Sequence, residues 1–511
     1  AQDTTMQTGN PAFVDTAEVA IANPGVDAAK PVRVDLVSKH GSDGIHGLVY
    51  YKRASSAFNA KSYFDTAKSS YKLSEFQGEL GGALVPRWTY FYAGAMYQKT
   101  PYSQTLYADV PTAQMRTLDF GQYLNAQTAP NGKVVVIRDP RNGAPFPNNV
   151  IPSNRRSPVA NNYLTNYYPT SNAGNANTFT QNYTWNHPYG ADTYVGNWPF
   201  GRIDQRLSAN SQLYVRWMQN QTAAVTSGSV GEQLNSTRTV RYRGFVVSGV
   251  TALSSSLANQ ITVGQTKVVL KQGEAESKFS PLHGDSVVST LGIQGVNPNG
   301  YAVMGFPAVS ISALTGLSMP YGGGKTEDTA GNDSINTVQD ALTWSLGRHS
   351  LKLGGQYQRY RWLEGAVPQN VYGAFTFSGE FTGLGFADFA LGLPSTSTRQ
   401  AGRINRTLHQ AQSGLFLSDT IRVTSRLTLD LGMRWDYYTT PVYDDGYMSN
   451  WDPATGQVIV APGTITAVSS FFPKGATVVT GEVVPMAKTT NFRPRVAGAD
   501  RLSGNLVLRG G

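Results

Sequence analysis

The chain has 511 residues, of which 40% are apolar and 15% charged, with 53 glycines, 27 tyrosines and 21 phenylalanines; ordinary soluble domains run nearer ~45–50% and ~25%. So many aromatics exclude a disordered chain, and the lack of cysteine excludes a disulfide framework or a thiolate metal site. The net charge of +9 is spread out rather than clustered with aromatics, which argues against nucleic acid as a partner.

Taken in chain order, helical periodicity is scarce and period-two alternation recurs. Strands are expected near 33–39, 45–54, 74–85, 88–98, 198–207, 211–220, 243–253, 258–270, 334–346, 349–361, 409–422, 426–439, 491–501 and 505–510. Many reach the ~9–11 residues that a tilted strand needs to cross a bilayer. No apolar run approaches the ~18 residues of a spanning helix, and "AQDTTMQTGN" at the start lacks the basic and apolar regions of a signal peptide.

The connections alternate in length. Tight turns are expected at 86–87, 208–210, 254–257, 347–348, 424–425 and 503–504, and long connections at 99–197, 221–242, 271–333, 362–408 and 440–490. Short turns at one end and long loops at the other are the pattern of an outer-membrane barrel, with the long loops facing the cell exterior.

The stretch "LTLDLGMRWDYY" shows what each face would meet. Leu427, Leu429, Leu431, Trp435 and Tyr437 share one face, while Asp430, Arg434 and Asp436 share the other. The first face suits lipid, with its aromatics at the interface end; the second suits a wet lumen. Trp88, Tyr90 and Tyr92, just after a tight turn, are placed by the same reasoning in a lipid-facing aromatic girdle. Arg202, Asp204 and Arg206 share one face, as do Lys352, Gln356 and Gln358, opposite Leu351, Leu353 and Tyr357. These polar sets are candidates for docking a plug or guiding ligand; the plainer reading is that they keep the interior wet and paired.

Several segments resemble the Oar-like TonB-dependent receptors of the acidobacterial type. "VSKHGSDGIHGLVYYKRASSAFNAKSYF" (37–64) looks like that family's junction between plug and first barrel strand, and "FQGELGGALVPRWTYFYAGAMY" (76–97) like its first hairpin. "FPNNVIPSNRRSPVANNYLTNYYPTSN", "GRHSLKLGGQYQRY", "FADFALGLPSTS", "SDTIRVTSRLTLDLGMRWDYY" and "NFRPRVAGADRL" follow in the family's order. His40 and Ile45 depart from it, where Ser and Phe are usual. The resemblance implies the end of a plug over 1–43 and the N-terminal part of a barrel over 44–511. About thirteen of an expected twenty-two strands would be present, so the chain reads as an internal fragment.

The resemblance also implies partners: outer-membrane lipid and lipopolysaccharide, an inner-membrane TonB-type energy-coupling complex, and an extracellular ligand such as a carbohydrate or peptide. Its mechanism would be import by plug rearrangement; a barrel that only displays adhesive or ligand-binding loops is the alternative. Enzymatic chemistry has no support. The six histidines (40, 46, 187, 283, 349 and 409) show no metal-ligand spacing. "YGGGKT" (321–326) lacks the first glycine of a phosphate loop, and Asp444–Asp445–Gly446 is too short for a calcium sphere. No cofactor is expected.

Overall fold

The structure is a computed structural model. It describes residues 13–21, 32–61, 68, 72–102, 105–129, 132–174, 180–186, 192–228, 230–274, 284–297, 300, 305–318, 331–364, 370–400, 406–465, 468, 472–504 and 506–511. The 321–326 segment, His187 and His283 lie outside them.

One antiparallel sheet dominates. Its strands are β1 (His46–Ser55), β2 (Lys72–Val85), β3 (Thr89–Tyr102), β4 (Asp192–Arg206), β5 (Ser211–Gly228), β6 (Gly231–Ala252), β7 (Leu257–Glu274), β8 (Gly331–Leu346), β9 (His349–Glu364), β10 (Arg406–Arg422), β11 (Leu427–Tyr438), β12 (Phe492–Ser503) and β13 (Leu506–Gly510). Every strand pairs with the next in sequence, so sheet order is chain order. These thirteen strands match the expected segments after 33–39. Among the described residues β1 and β13 do not pair with each other, so the sheet is an open meander.

Register fixes the faces, because directly opposed residues point the same way. One row runs Leu213, Gly249, Ile261, Asp340, Gly355, Leu415 and Trp435. Its neighbour two residues away holds Val215, Val247, Val263, Val338 and Tyr357. Ile261, Val263, Val338, Tyr357, Leu415, Leu417, Leu431, Met433 and Val496 on this face are all exposed. The opposite face carries Arg216, Ser248, Thr262, Thr337, Gln356, Gln358, Gln412, Arg434 and Asp436, all buried. Apolar side chains out and polar ones in is the reverse of a water-soluble fold, and it is stable only where the outer solvent is hydrocarbon and strand pairing satisfies the backbone.

All six tight turns form at one end of the sheet. Gly347, at φ 60, opens the two-residue link between β8 and β9; a positive φ at that position suits the twist of a hairpin and favours glycine. The long connection expected at 221–242 does not exist. β5 and β6 continue through it as one tall hairpin. Its sequence is polar but rich in β-branched Thr and Val, which favour strands, and strands that have left the membrane can stay paired in water.

At the other end, the described residues of three connections (within 105–186, 284–318 and 370–400) fold together into a cap. Val110, Leu118, Phe120, Ile137, Tyr163, Leu291, Leu317, Phe386 and Phe389 form its buried core. The strand Ala308–Ile311 pairs in parallel with Ala374–Phe377, which pairs with Thr396–Thr398. Helix α1 (Pro158–Asn166) starts with Ser157 accepting from the Ala160 N–H and proline in the first turn, a favoured start. Helix α2 (Gly385–Leu391) ends at Gly392 in the left-handed region, φ 75. A side chain there would also collide with Ser157 Oγ, 2.7 Å from the position of a Cβ. The 440–490 connection builds its own three-stranded sheet from Ser449–Asp452, Gln457–Val460 and Thr477–Thr480.

Candidate functional site

The inner face holds two polar centres on different strands. In the first, a hairpin of Val14–Ile21 and Val32–Ser38 meets the sheet. Phe13, at its start, stacks on Phe200 at 5.2 Å and is buried with Tyr92 and Trp198. Lys39 Nζ lies 2.9 Å from Glu79 Oε1. Arg202 donates to Ser38 Oγ at 2.7 Å and to both carboxylate oxygens of Asp204, with its guanidinium 4.2 Å from the Tyr214 ring centroid. Gly94 makes room for the contact, because a Cβ there would stand 2.7 Å from the Phe13 ring. Arg206 and Asp204 line an adjoining groove of about 310 Å³ with Arg87 and Tyr90.

This corrects the aromatic girdle expected at 88–92. Tyr92 is opposite Arg202 and Tyr90 opposite Asp204, so they share the face of those charges. Tyr92 is 3% exposed, and the Tyr90 hydroxyl donates to Asp43 at 2.9 Å. Trp88 lies in the turn and is half exposed. Alternation alone separates two faces but cannot say which is which. The side facing outward on β3 carries Phe91, Ala93, Ala95 and Tyr97 instead.

The second centre is a closed ion pair. Arg434 Nη2 lies 2.9 Å from Asp436 Oδ1, both side chains fully buried, and it also donates to Gln356 Oε1 at 3.4 Å. Arg493 Nη1 stands 3.7 Å from the other oxygen of Asp436. Gly414 on β10 leaves the space, since a Cβ would run into Arg434 Nη2 and Asp436 Oδ1. Asp430 shares this face but is exposed. Lys352 lies apart, in a groove of about 360 Å³ with Gln260, Thr262 and Gln339. On the outer face, Leu429 and Leu431 point away from these charges, and Trp435 stacks on Tyr437 at 6.1 Å. Leu427 is opposite Asp500 at the turn end.

The cap holds a third feature that alternation had no means of finding. A pocket of about 320 Å³ is lined by Val159, Tyr163, Ile293, Phe375, Phe377 and Phe389, with Ser157 and Gln294 at polar positions. All three connections contribute. Tyr163 donates to Pro307 O at 2.8 Å, and burial pushes its phenol pKa well above the ordinary value. Arg155 pairs with Asp139 at 2.8 Å and, with the Arg141 N–H, holds that carboxyl down at about 2. Asp444 and Asp445 are committed to the Thr407 N–H and to Arg406. Among the described residues no group of three metal-ligating side chains forms.

An apolar outer face, a polar inner face and turns segregated by length define an outer-membrane β-barrel protein. The chain belongs to the family described as "outer membrane beta barrel domain", whose model matches residues 37–511, and its place is the outer membrane. No curated protein matches it. Among solved structures it is similar to the outer membrane transporter YddB of Escherichia coli, at 10% identity and a TM-score of 0.44, over 84% of this chain and 44% of that one. It is also similar to a mutant ferric enterobactin receptor, PfeA, of Pseudomonas aeruginosa, at 12%, 0.43, 97% and 48%. For the ferric-catecholate import receptor Fiu of E. coli the values are 11%, 0.39, 97% and 58%. The chain thus spans about half the length of these proteins.

Proposed function

We propose that this chain is the plug end and first part of the wall of an energised outer-membrane receptor of the Oar-like type. Extracellular ligand is taken at the cap and admitted past a plug pulled by a TonB-type inner-membrane complex. One observation carries the reading: the hairpin at 14–38 docks on the inner face through Phe13, Ser38 and Lys39, while a cap with a pocket forms at the opposite end from the tight turns. Residues 1–43 are then the end of the plug, and Arg202 and Glu79 are its docking partners. The pocket's size and aromatic lining suit a small ligand group, such as one sugar of a carbohydrate or one side chain of a peptide.

The test uses cells carrying the full protein, with and without the energy-coupling complex, offered labelled oligosaccharide and peptide pools. Depletion of a pool only when the complex is present supports import. Binding without energy-dependent uptake overturns it in favour of a display barrel.

A further inference from the structure

Above the apolar band, the outer face of β5–β9 changes character. Arg243 is directly opposite Lys267, Lys267 opposite Ser334, and Ser334 opposite Arg361. Arg241 and Arg359 flank this row, two residues above and below it on their strands. Among the described residues no carboxylate occupies an outward position in these rows on the five strands. Like charges directly opposed across a ladder are unfavourable, so the sheet alone gives no reason for Arg243 to face Lys267.

Two of the guanidiniums are oriented by neutral amides. Arg241 Nε donates to Gln221 Oε1 at 2.6 Å, and Arg243 Nε to Gln219 Oε1 at 3.1 Å. Just below lie exposed Phe245 and Tyr357. From Leu351, near the tight turn, to Arg361 is ten residues, roughly 33 Å along a strand at ~3.3 Å each. At a tilt of about 40° this is roughly 25 Å of height, the thickness of the apolar band of such barrels. The cations therefore sit where hydrocarbon gives way to headgroups.

We infer that this row is a binding site for the phosphate groups of a phosphorylated glycolipid in the outer leaflet, with acyl chains lying on Phe245, Val263 and Tyr357. Arginine forks grip phosphate oxygens in pairs, and the apolar rows beneath give a lipid, but not a free anion, a second foothold. The inference rests on the reading that the long connections face the cell exterior.

The experiment counts diphosphoryl lipid A bound by the detergent-solubilised full protein, by native mass spectrometry. Binding in detergent does not depend on orientation, so protease shaving of intact cells tests the topology separately. Wild-type protein is expected to hold the lipid, and R243Q/K267Q/R361Q to lose at least about tenfold in affinity, equivalent to ~1.4 kcal/mol. K267Q alone covers the case where the triple variant misfolds and should weaken binding several-fold. Equal binding of dephosphorylated lipid A, displacement by inorganic phosphate at matched concentration, or unchanged binding by K267Q and the triple variant overturns the site.

Discussion

The sheet and the cap bury opposite things. In the cap, Phe386, Phe389 and Tyr163 go inside, as in any water-soluble domain. In the sheet, Arg434 and Asp436 go inside while Leu415, Leu417 and Leu431 stay out. One chain thus satisfies two solvents, and the sign of a substitution's effect should flip between the two regions.

The largest expected effect is in the cap. Phe389→Ala should cost about 3–5 kcal/mol locally, collapsing the pocket while leaving the sheet assembled; limited proteolysis of the cap, with unchanged strand content by circular dichroism, is the check. Asp436→Ala leaves Arg434 buried without its carboxylate, a loss of about 3–5 kcal/mol for a fully buried pair, read as refolding stability in vesicles. If it is silent, the pair is hydrated and the inner face is wetter than its burial indicates.

Next comes the outer face. Leu431→Arg should cost roughly 2–4 kcal/mol near the bilayer midplane and ~0–1 near its edges. Thr428→Arg, on the inner face, should cost far less. Equal losses in vesicle refolding would remove the distinction between the faces. Gly392→Ala should cost on the order of 1–2 kcal/mol in the cap, because a left-handed residue gains a side chain; an unchanged cap melting point would show that the α1–α2 contact is soft.

The smallest effect is a pH dependence. Asp139 has a depressed folded pKa, about 2, against ~3.9 unfolded. Its contribution is present above the unfolded value and fades as pH falls from ~3.9 toward 2. Asp139→Asn should lower the cap's stability slightly at neutral pH, leave it nearly unchanged near pH 2, and so flatten the acid sensitivity in that window, as monitored by tyrosine fluorescence.

The thirteen strands were legible because alternation is a local property: Leu429, Asp430 and Leu431 announce their strand with no outside help. On β11 the charges fall on one face alone, whereas on β3 both faces are aromatic and alternation cannot tell them apart. There Tyr92 was assigned to lipid, although it packs on Phe13. The ion pair of Arg434 and Asp436 was visible as two charges on one face; its closure depended on Gly414, a residue that alternation counts as silent. The cap was invisible, because its contacts join segments that carry no shared pattern.

That last point bears on the order in which the molecule is assembled. Neighbours in the sheet are neighbours in the chain, so each strand can be zipped onto the one before at a low loop-closure cost. The cap obeys no such order. Asp109 bonds to Thr315, 206 residues away, and the Ser157 N–H to Ala390 O. The first long connection must therefore wait, its aromatic side chains uncovered, until residues near 390 have been delivered. Contacts of such sequence separation form late and slowly. During that interval the sheet is largely built and the cap pocket does not yet exist.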